Sequence, residues 1–133
     1  MYCFDTDMLS FMIRPRPHSG LLRKLASIPL EYQTTTAINV GELVYGVSSK
    51  PSPQCAQRVL DVIESIARIL PFDEEAAWAY ADIKADLFRR GIPLDDPDMR
   101  IAAIALSHRV TLITGNTRYF DRIDGLEIEN WIA

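Results

Sequence analysis

Two polar residues fall just past the carboxyl ends of apolar, β-prone segments: Asp5 after Tyr2–Phe4, and Asn116 after Thr111–Thr114. In a parallel α/β sheet that is where ligands bind. Asp5 has two readings, the N-cap of a following helix and a site acid that makes a D-x-D pair with Asp7. Asp98 is more informative. It opens an almost wholly apolar stretch, Met99 and Ile101–Leu106, and shares a face with Ile101, Ala102 and Ala105 at helical spacing. A helix of that composition is buried. The carboxylate at its mouth is then desolvated and needs a donor, a base or a cation, with the helix dipole as the alternative partner. Asp96, directly before Pro97, reads as a helix cap with a supporting metal role. Glu42 lies off the Val40, Leu43, Val44 and Val47 face of its helix, and on pattern alone it reads as exposed.

Carboxylates gathered at strand ends repel one another and stay ionised together only beside a cation such as Mg²⁺ or Mn²⁺. The donors are hard oxygens. His18 and His108 lie in unrelated segments, and Cys3 and Cys55 read as buried thiols in apolar settings, so nothing resembles a zinc cluster. Two cysteines are also too few for a disulfide framework and suit a reducing cytoplasm.

Only a particular order of elements can bring these residues together. Tyr2–Phe4 reads as a short buried strand and Thr6–Ile13 as a helix, after which Pro15 and Pro17 break the chain. Ser19 is the expected cap of a helix with Leu21, Leu22, Leu25 and Ile28 inward, ended by Pro29. Tyr32–Thr35 reads as the second strand, and Thr36 as the cap of a helix reaching about Ser48. Ser52 and Pro53 start another helix, with Cys55, Val59, Val62, Ile63 and Ile66 at helical spacing. Ile69–Phe72 is the expected third strand. Asp73 caps a helix to Arg90 with Ala76, Tyr80, Ile83 and Leu87 inward, and Gly91 stops it in the left-handed region. A helix from Asp96-Pro97 through Ser107, a strand at Thr111–Thr114 and a fifth at Leu126–Ile128 complete the pattern. Strands alternating with helices predict one α/β domain over residues 1–133, three-layer α/β/α with a mostly parallel central sheet.

The net charge of −4 argues against a nucleic-acid binder that relies on a general positive field, but not against a nuclease whose acids are cancelled by bound cations. Basic residues cluster at Arg14, Arg16, His18, Arg23 and Lys24, and again at Arg89 and Arg90. No basic region precedes an apolar run at the N-terminus, and no apolar stretch is long enough to cross a bilayer, so a soluble cytoplasmic protein is expected.

The same residues fall in four separated segments that resemble one family. Tyr2-Cys3-Phe4-Asp5-Thr6-Asp7-Met8-Leu9-Ser10 is similar to the opening of VapC-like PIN domains, which usually carry Asn at the position of Asp7. Thr36-Ala37-Ile38-Asn39-Val40-Gly41-Glu42-Leu43-Val44-Tyr45-Gly46 looks like the second motif, whose glutamate is a metal-site acid. The third motif resembles Gly91-Ile92-Pro93 with Asp96-Pro97-Asp98 and Ile101-Ala102-Ala103, and Asp98 falls on its main acid. Thr111-Leu112-Ile113-Thr114-Gly115-Asn116-Thr117-Arg118-Tyr119-Phe120 looks like the fourth motif, where some members have Asp in place of Asn116. Gly125-Leu126-Glu127-Ile128-Glu129-Asn130-Trp131 resembles the usual chain end.

The resemblance implies a PIN-like fold and metal-assisted hydrolysis of RNA phosphodiester bonds. Asp5, Glu42 and Asp98 would hold one or two Mg²⁺ or Mn²⁺ ions with Asp96 in support, and Asn116 would orient a water. It is the resemblance that promotes Glu42 from helix surface to site. Arg14 and Arg100 are available as phosphate contacts. The implied partners are an RNA substrate, a VapB-like antitoxin docking on the first helices, and a second copy of the chain in a homodimer. Two other readings stand beside this one. A haloacid-dehalogenase-type phosphatase would use Asp5 as nucleophile and Asp7 as acid/base, although the only lysine after Lys50 is Lys84, inside a patterned helix. A PIN-like binding scaffold would have lost its chemistry.

Overall fold

The computed structural model describes residues 1–49 and 52–132. Its core is a sheet of five strands in the order β3-β2-β1-β4-β5: β1 (Tyr2–Phe4), β2 (Gln33–Thr36), β3 (Arg68–Leu70), β4 (Thr111–Ile113) and β5 (Ile128–Glu129). Every neighbouring pair is parallel. Parallel strands need crossovers, and helices supply them: α1 (Thr6–Ile13), α2 (Ser19–Ala26), α3 (Ala37–Ser49), α4 (Pro53–Ser65), α5 (Glu74–Arg89), α6 (Asp96–His108) and the short α7 (Thr117–Phe120).

Side chains alternate across the sheet, so successive residues of β1 and β4 enter different cores. Cys3 and Leu112 join the cluster under α5 and α6, with Ile83, Leu87, Met99 and Ile104. Phe4 and Ile113 join the opposite cluster under α1 to α4, with Met8, Leu9, Leu43, Val59 and Trp131. β1 and β4 are covered on both faces, which is why Tyr2–Phe4 and Leu112–Ile113 read as short apolar runs. Burial also pushes the Cys3 thiol up from 9.0 to about 12.

Several local expectations shift, each for a definable reason. His18, not Ser19, caps α2, because its Nδ1 accepts from the Leu21 N–H at 3.1 Å. Leu22 lies one residue round from the buried Leu21 and is 44% exposed. Tyr32 closes a 3₁₀ turn (Leu30–Tyr32) by donating to Pro29 O, so β2 starts one residue later than expected. β3 ends at Leu70 because Pro71 has no N–H to continue the ladder. Thr36 is both the last residue of β2 and a cap, its Oγ1 accepting from the Asn39 N–H. On α3 the face turned inward is Asn39 with Leu43, and Val44 is exposed. Cys55 is only half-buried. β5 is Ile128–Glu129 in place of Leu126–Ile128. The cap of α6 falls at Asp95, not Asp96; Asp96 is the first helical residue, and its carboxylate is drawn sideways by neighbours on α5 and α6.

Asp73 caps α5 as the pattern requires, and Gly91 follows it at φ +67°. A Cβ at Gly91 would meet no neighbour, so substitution there tests backbone strain alone. Gly91→Ala is expected to destabilise the fold by roughly 1–2 kcal/mol. Arg109, the one non-glycine residue at positive φ among the described residues, should respond in the opposite sense when changed to Gly. Urea unfolding of the two variants checks both signs.

Candidate metal centre

The sheet order reverses direction at β1, which has β2 on one side and β4 on the other. A crevice opens at such a switch point, beyond the carboxyl ends of the strands. Phe4 is in register with Ile113, and the Asp5 N–H donates to Ile113 O at 3.1 Å, so Asp5 and Thr114 leave the sheet side by side. The cap reading of Asp5 holds: its Oδ1 accepts from the Met8 N–H at 3.0 Å. The carboxyl is nevertheless raised from 3.8 to about 6. Burial is the main cause, and the Asp7 and Asp98 charges add to it. The Thr114 side chain and the Met8 N–H act in the other direction.

Asp98 rides on the first turn of α6, whose body is buried. Its carboxyl is also raised to about 6, by burial first and then by Glu42, Asp95 and Asp7. The three acids of the sequence reading, Asp5, Glu42 and Asp98, are therefore linked through their fields, with Asp7 acting on two of them. Glu42 reaches the rim from α3 and is held there. The Thr6 hydroxyl on α1 donates to Glu42 Oε1 at 2.8 Å, and the Asn39 Nδ2 donates to Thr6 Oγ1 at 3.0 Å. Asn39 Oδ1 in turn accepts from the Thr36 hydroxyl at 2.6 Å. Asn39 is fully buried, so this chain is an interior polar track ending at a surface acid.

Sequence reading missed Thr6, Asn39 and Thr114 as parts of the site. Thr36 and Asn39 have the three-residue cap spacing, which was a usable signal. A search for apolar periodicity passes over a buried Asn. Asn116 stands on the same rim: its Nδ2 donates to Asp7 Oδ2 at 2.9 Å, and its N–H donates to Thr114 Oγ1 at 3.0 Å.

Asp96 is not brought to this cluster. Its carboxylate takes the Arg100 Nε at 2.6 Å and the Tyr80 hydroxyl, with Lys84 at 3.7 Å, and these donors, Tyr80 first, hold it below the usual range. Arg100 is thereby engaged, lying over the Tyr80 and Phe72 rings at 4.7 and 5.0 Å. Arg14 is exposed above the Phe11 ring and lines a cleft of about 280 Å³ with Asp7, Asn116 and Gly115. The second basic cluster is partly neutralised, because Arg90 pairs with Asp86 at 2.8 Å.

Among the described residues, no three His, Cys, Asp or Glu side chains already stand close enough to enclose an ion. The donor chemistry fits a hard divalent cation all the same. The donors are carboxylates alone, and two of them are raised to about 6, by burial first and by neighbouring acids second, an unfavourable field that an added cation would offset.

The PIN domain family model matches residues 2–126. The tRNA(fMet)-specific endonuclease VapC of Salmonella typhimurium is 30% identical over 130 residues, covering 98% of this chain and 97% of that one. Toxin FitB of Neisseria gonorrhoeae is 33% identical over 137 residues, covering 98% and 99%. The crystal structure of VapBC2 from Rickettsia felis bound to a promoter DNA fragment superposes with a TM-score of 0.86 at 28% identity, covering 98% of each chain. The chain belongs to the PIN-domain family and, within it, to the VapC-type ribonucleases. PIN nucleases as a class depend on divalent metal. The phosphatase reading of Asp5 is set aside, since the relatives that span the whole chain are ribonucleases and toxins.

The raised carboxyls make metal-free stability depend on pH. Each binds its proton more tightly folded than unfolded, so its contribution is complete below 3.8 and lost as pH rises through about 6. In EDTA, Asp98→Asn and Asp5→Asn should gain melting temperature relative to the unmutated protein between pH 4 and pH 7. A difference that stays flat across that range would count against the raised carboxyls.

Proposed function

We propose that this chain is the toxin of a toxin–antitoxin pair, a cytoplasmic single-domain endoribonuclease that works with Mg²⁺ or Mn²⁺ held by Asp5, Glu42 and Asp98. The observation that carries the reading is the meeting of acids from β1, α3 and α6 at the switch point of a parallel sheet. When bound, the cation would activate water and offset charge on the scissile phosphate.

The chain's own residues do the placing. The Met8 N–H aims Asp5, the Thr6 hydroxyl holds Glu42, and α6 carries Asp98. Asp96 contributes at one remove: by gripping Arg100 and Tyr80 it ties the first turn of α6 to α5. Arg14, free on the rim of the adjoining cleft, is the phosphate contact, and Arg100, already paired, is not. Among the described residues no helix is long and apolar enough to cross a membrane. The structure neighbours of the VapBC and FitAB type are complexes with a partner, and this chain offers a place for one. An apolar groove of about 350 Å³ runs between α1, α3 and α4, lined by Ile13, Leu43, Val47 and Val59 with Arg14 and Arg58. The Arg58 Nε is buried there with no hydrogen-bond partner among the described residues. An amphipathic, acidic segment of a VapB-like antitoxin suits that lining. A homodimer completes the proposal, with Trp78 and Phe88 of α5, 70% and 85% exposed, as apolar groups for a second copy to cover.

Purified protein should cleave single-stranded or loop RNA with Mg²⁺ or Mn²⁺ and stop in EDTA. Asp98→Asn should abolish cleavage while the melting temperature holds or rises. Cleavage undiminished by EDTA would sink the metal reading. Arg58→Glu should leave cleavage intact but weaken capture of the antitoxin encoded beside the gene, and full-strength capture would move the docking surface elsewhere.

A further inference from the structure

The acids assigned above are Asp5, Glu42 and Asp98, yet the crevice holds one more carboxylate whose position is built rather than incidental. Asp7 lies on the first turn of α1, three residues past the end of β1, and is exposed to the crevice cleft. A solvated aspartate on a helix surface normally moves freely. This one is tethered across 109 residues of sequence, its Oδ2 accepting from the Asn116 Nδ2 at 2.9 Å. Asn116 is itself anchored, since its N–H donates to the hydroxyl of the fully buried Thr114. The tether uses one oxygen of Asp7 and leaves Oδ1 without a protein donor among the described residues. The Asn116 amide donor adds no charge.

We infer that Asp7 is a further carboxylate donor of the metal centre and that Asn116 is its positioning residue, not a ligand in its own right. The inference rests on the metal-centre reading proposed above. The chemistry is that of ligand orientation: a carboxylate whose outer oxygen is held by a fixed amide presents its other oxygen in one direction. Asn116 is suited to this because an amide donates where a carboxylate in its place would repel Asp7. The pair is also reversible in principle. An amide at 7 and a carboxylate at 116 would make the same hydrogen bond with the roles exchanged.

The test is Mn²⁺ binding to the metal-free protein, read from the free-ion electron paramagnetic resonance signal and by calorimetry, with no RNA present. Asp7→Asn should weaken binding about tenfold or more with the melting temperature unchanged or raised. Asn116→Ala should weaken it less, because Asp7 keeps its charge and loses only its orientation. Asn116→Asp alone should lower the melting temperature in EDTA, and the exchanged double variant D7N/N116D should recover Mn²⁺ affinity lost in Asp7→Asn. Asp98→Asn serves as the control for the centre itself. Wild-type Mn²⁺ affinity in Asp7→Asn beside lost affinity in Asp98→Asn overturns the role of Asp7 and leaves the centre standing. Unchanged affinity in both overturns the centre as well. Loss in Asp7→Asn without any recovery in the double variant removes Asn116 from its positioning role.

Discussion

Repulsion between carboxylates at the carboxyl edge of one parallel sheet is the constraint around which the rest of this molecule is arranged. Asp5 is 5% exposed and Asp98 half-buried, and neither has a basic side chain among the influences on its charge. Left alone, such a site would spread its acids into solvent or take up protons. What prevents the spreading is that each acid belongs to a different rigid element. Asp5 directly follows β1, α3 carries Glu42, the first turn of α6 carries Asp98, and all three elements are fixed by packing in or on the sheet. The fold gives up stability to hold like charges together, an arrangement in keeping with the proposed metal centre.

The supports are hydrogen-bonded rather than ionic. Thr36, Asn39 and Thr6 form a track from the end of β2 to Glu42, and Thr114 and Asn116 form a second from the end of β4 to Asp7. Neutral donors suit this work because they orient a carboxylate without quenching its charge. A lysine or arginine in the same place would compete with a cation. The cationic partners are kept on the far side of the α6 N-terminus, where Arg100 and Lys84 engage Asp96. Two acids two residues apart on one helix thus have opposite fates, Asp96 held below its usual range and Asp98 lifted above it.

That contrast marks the limit of what was legible in the sequence. The layer order, the parallel sheet and the positions of Asp5 and Asn116 at strand ends follow from periodicity and strand-end logic, and the structure has them. Asp98 could be singled out because Met99 and Ile101–Leu106 behind it on α6 are apolar. Glu42 could not, since nothing local distinguishes a glutamate that faces water from one that faces a crevice; only the resemblance raised it. Asp96 was misread as a cap because Asp before Pro is a strong local signal. Tyr80 reaches it from α5, which a local pattern does not weigh, and Arg100 pairs with it from one turn along α6, an i,i+4 spacing that the cap signal outweighed. Asn39 and Thr6 were missed for the same reason, their partners being on other elements, 33 residues apart in the chain for that pair. Elements are written locally; the contacts that aim a side chain are not.

The net charge of −4 fits this arrangement once its distribution is considered. A polyanion approaching a negative protein is opposed at long range. The crevice acids supply part of that opposition, and on the proposed reading it is the part that a divalent ion would offset. The exposed arginines Arg14 and Arg16 lie past the end of α1, and Arg14 lines the cleft that Asp7 and Asn116 share. On the proposed reading, a phosphate backbone would find net attraction only where the loaded centre and Arg14 act together. Binding would then depend on the ion as well as on the arginines, so this protein needs no general basic face of the kind that other nucleic-acid binders use. On that reading, the acids that repel RNA while the centre is metal-free are the groups that would hold the cation that draws it in.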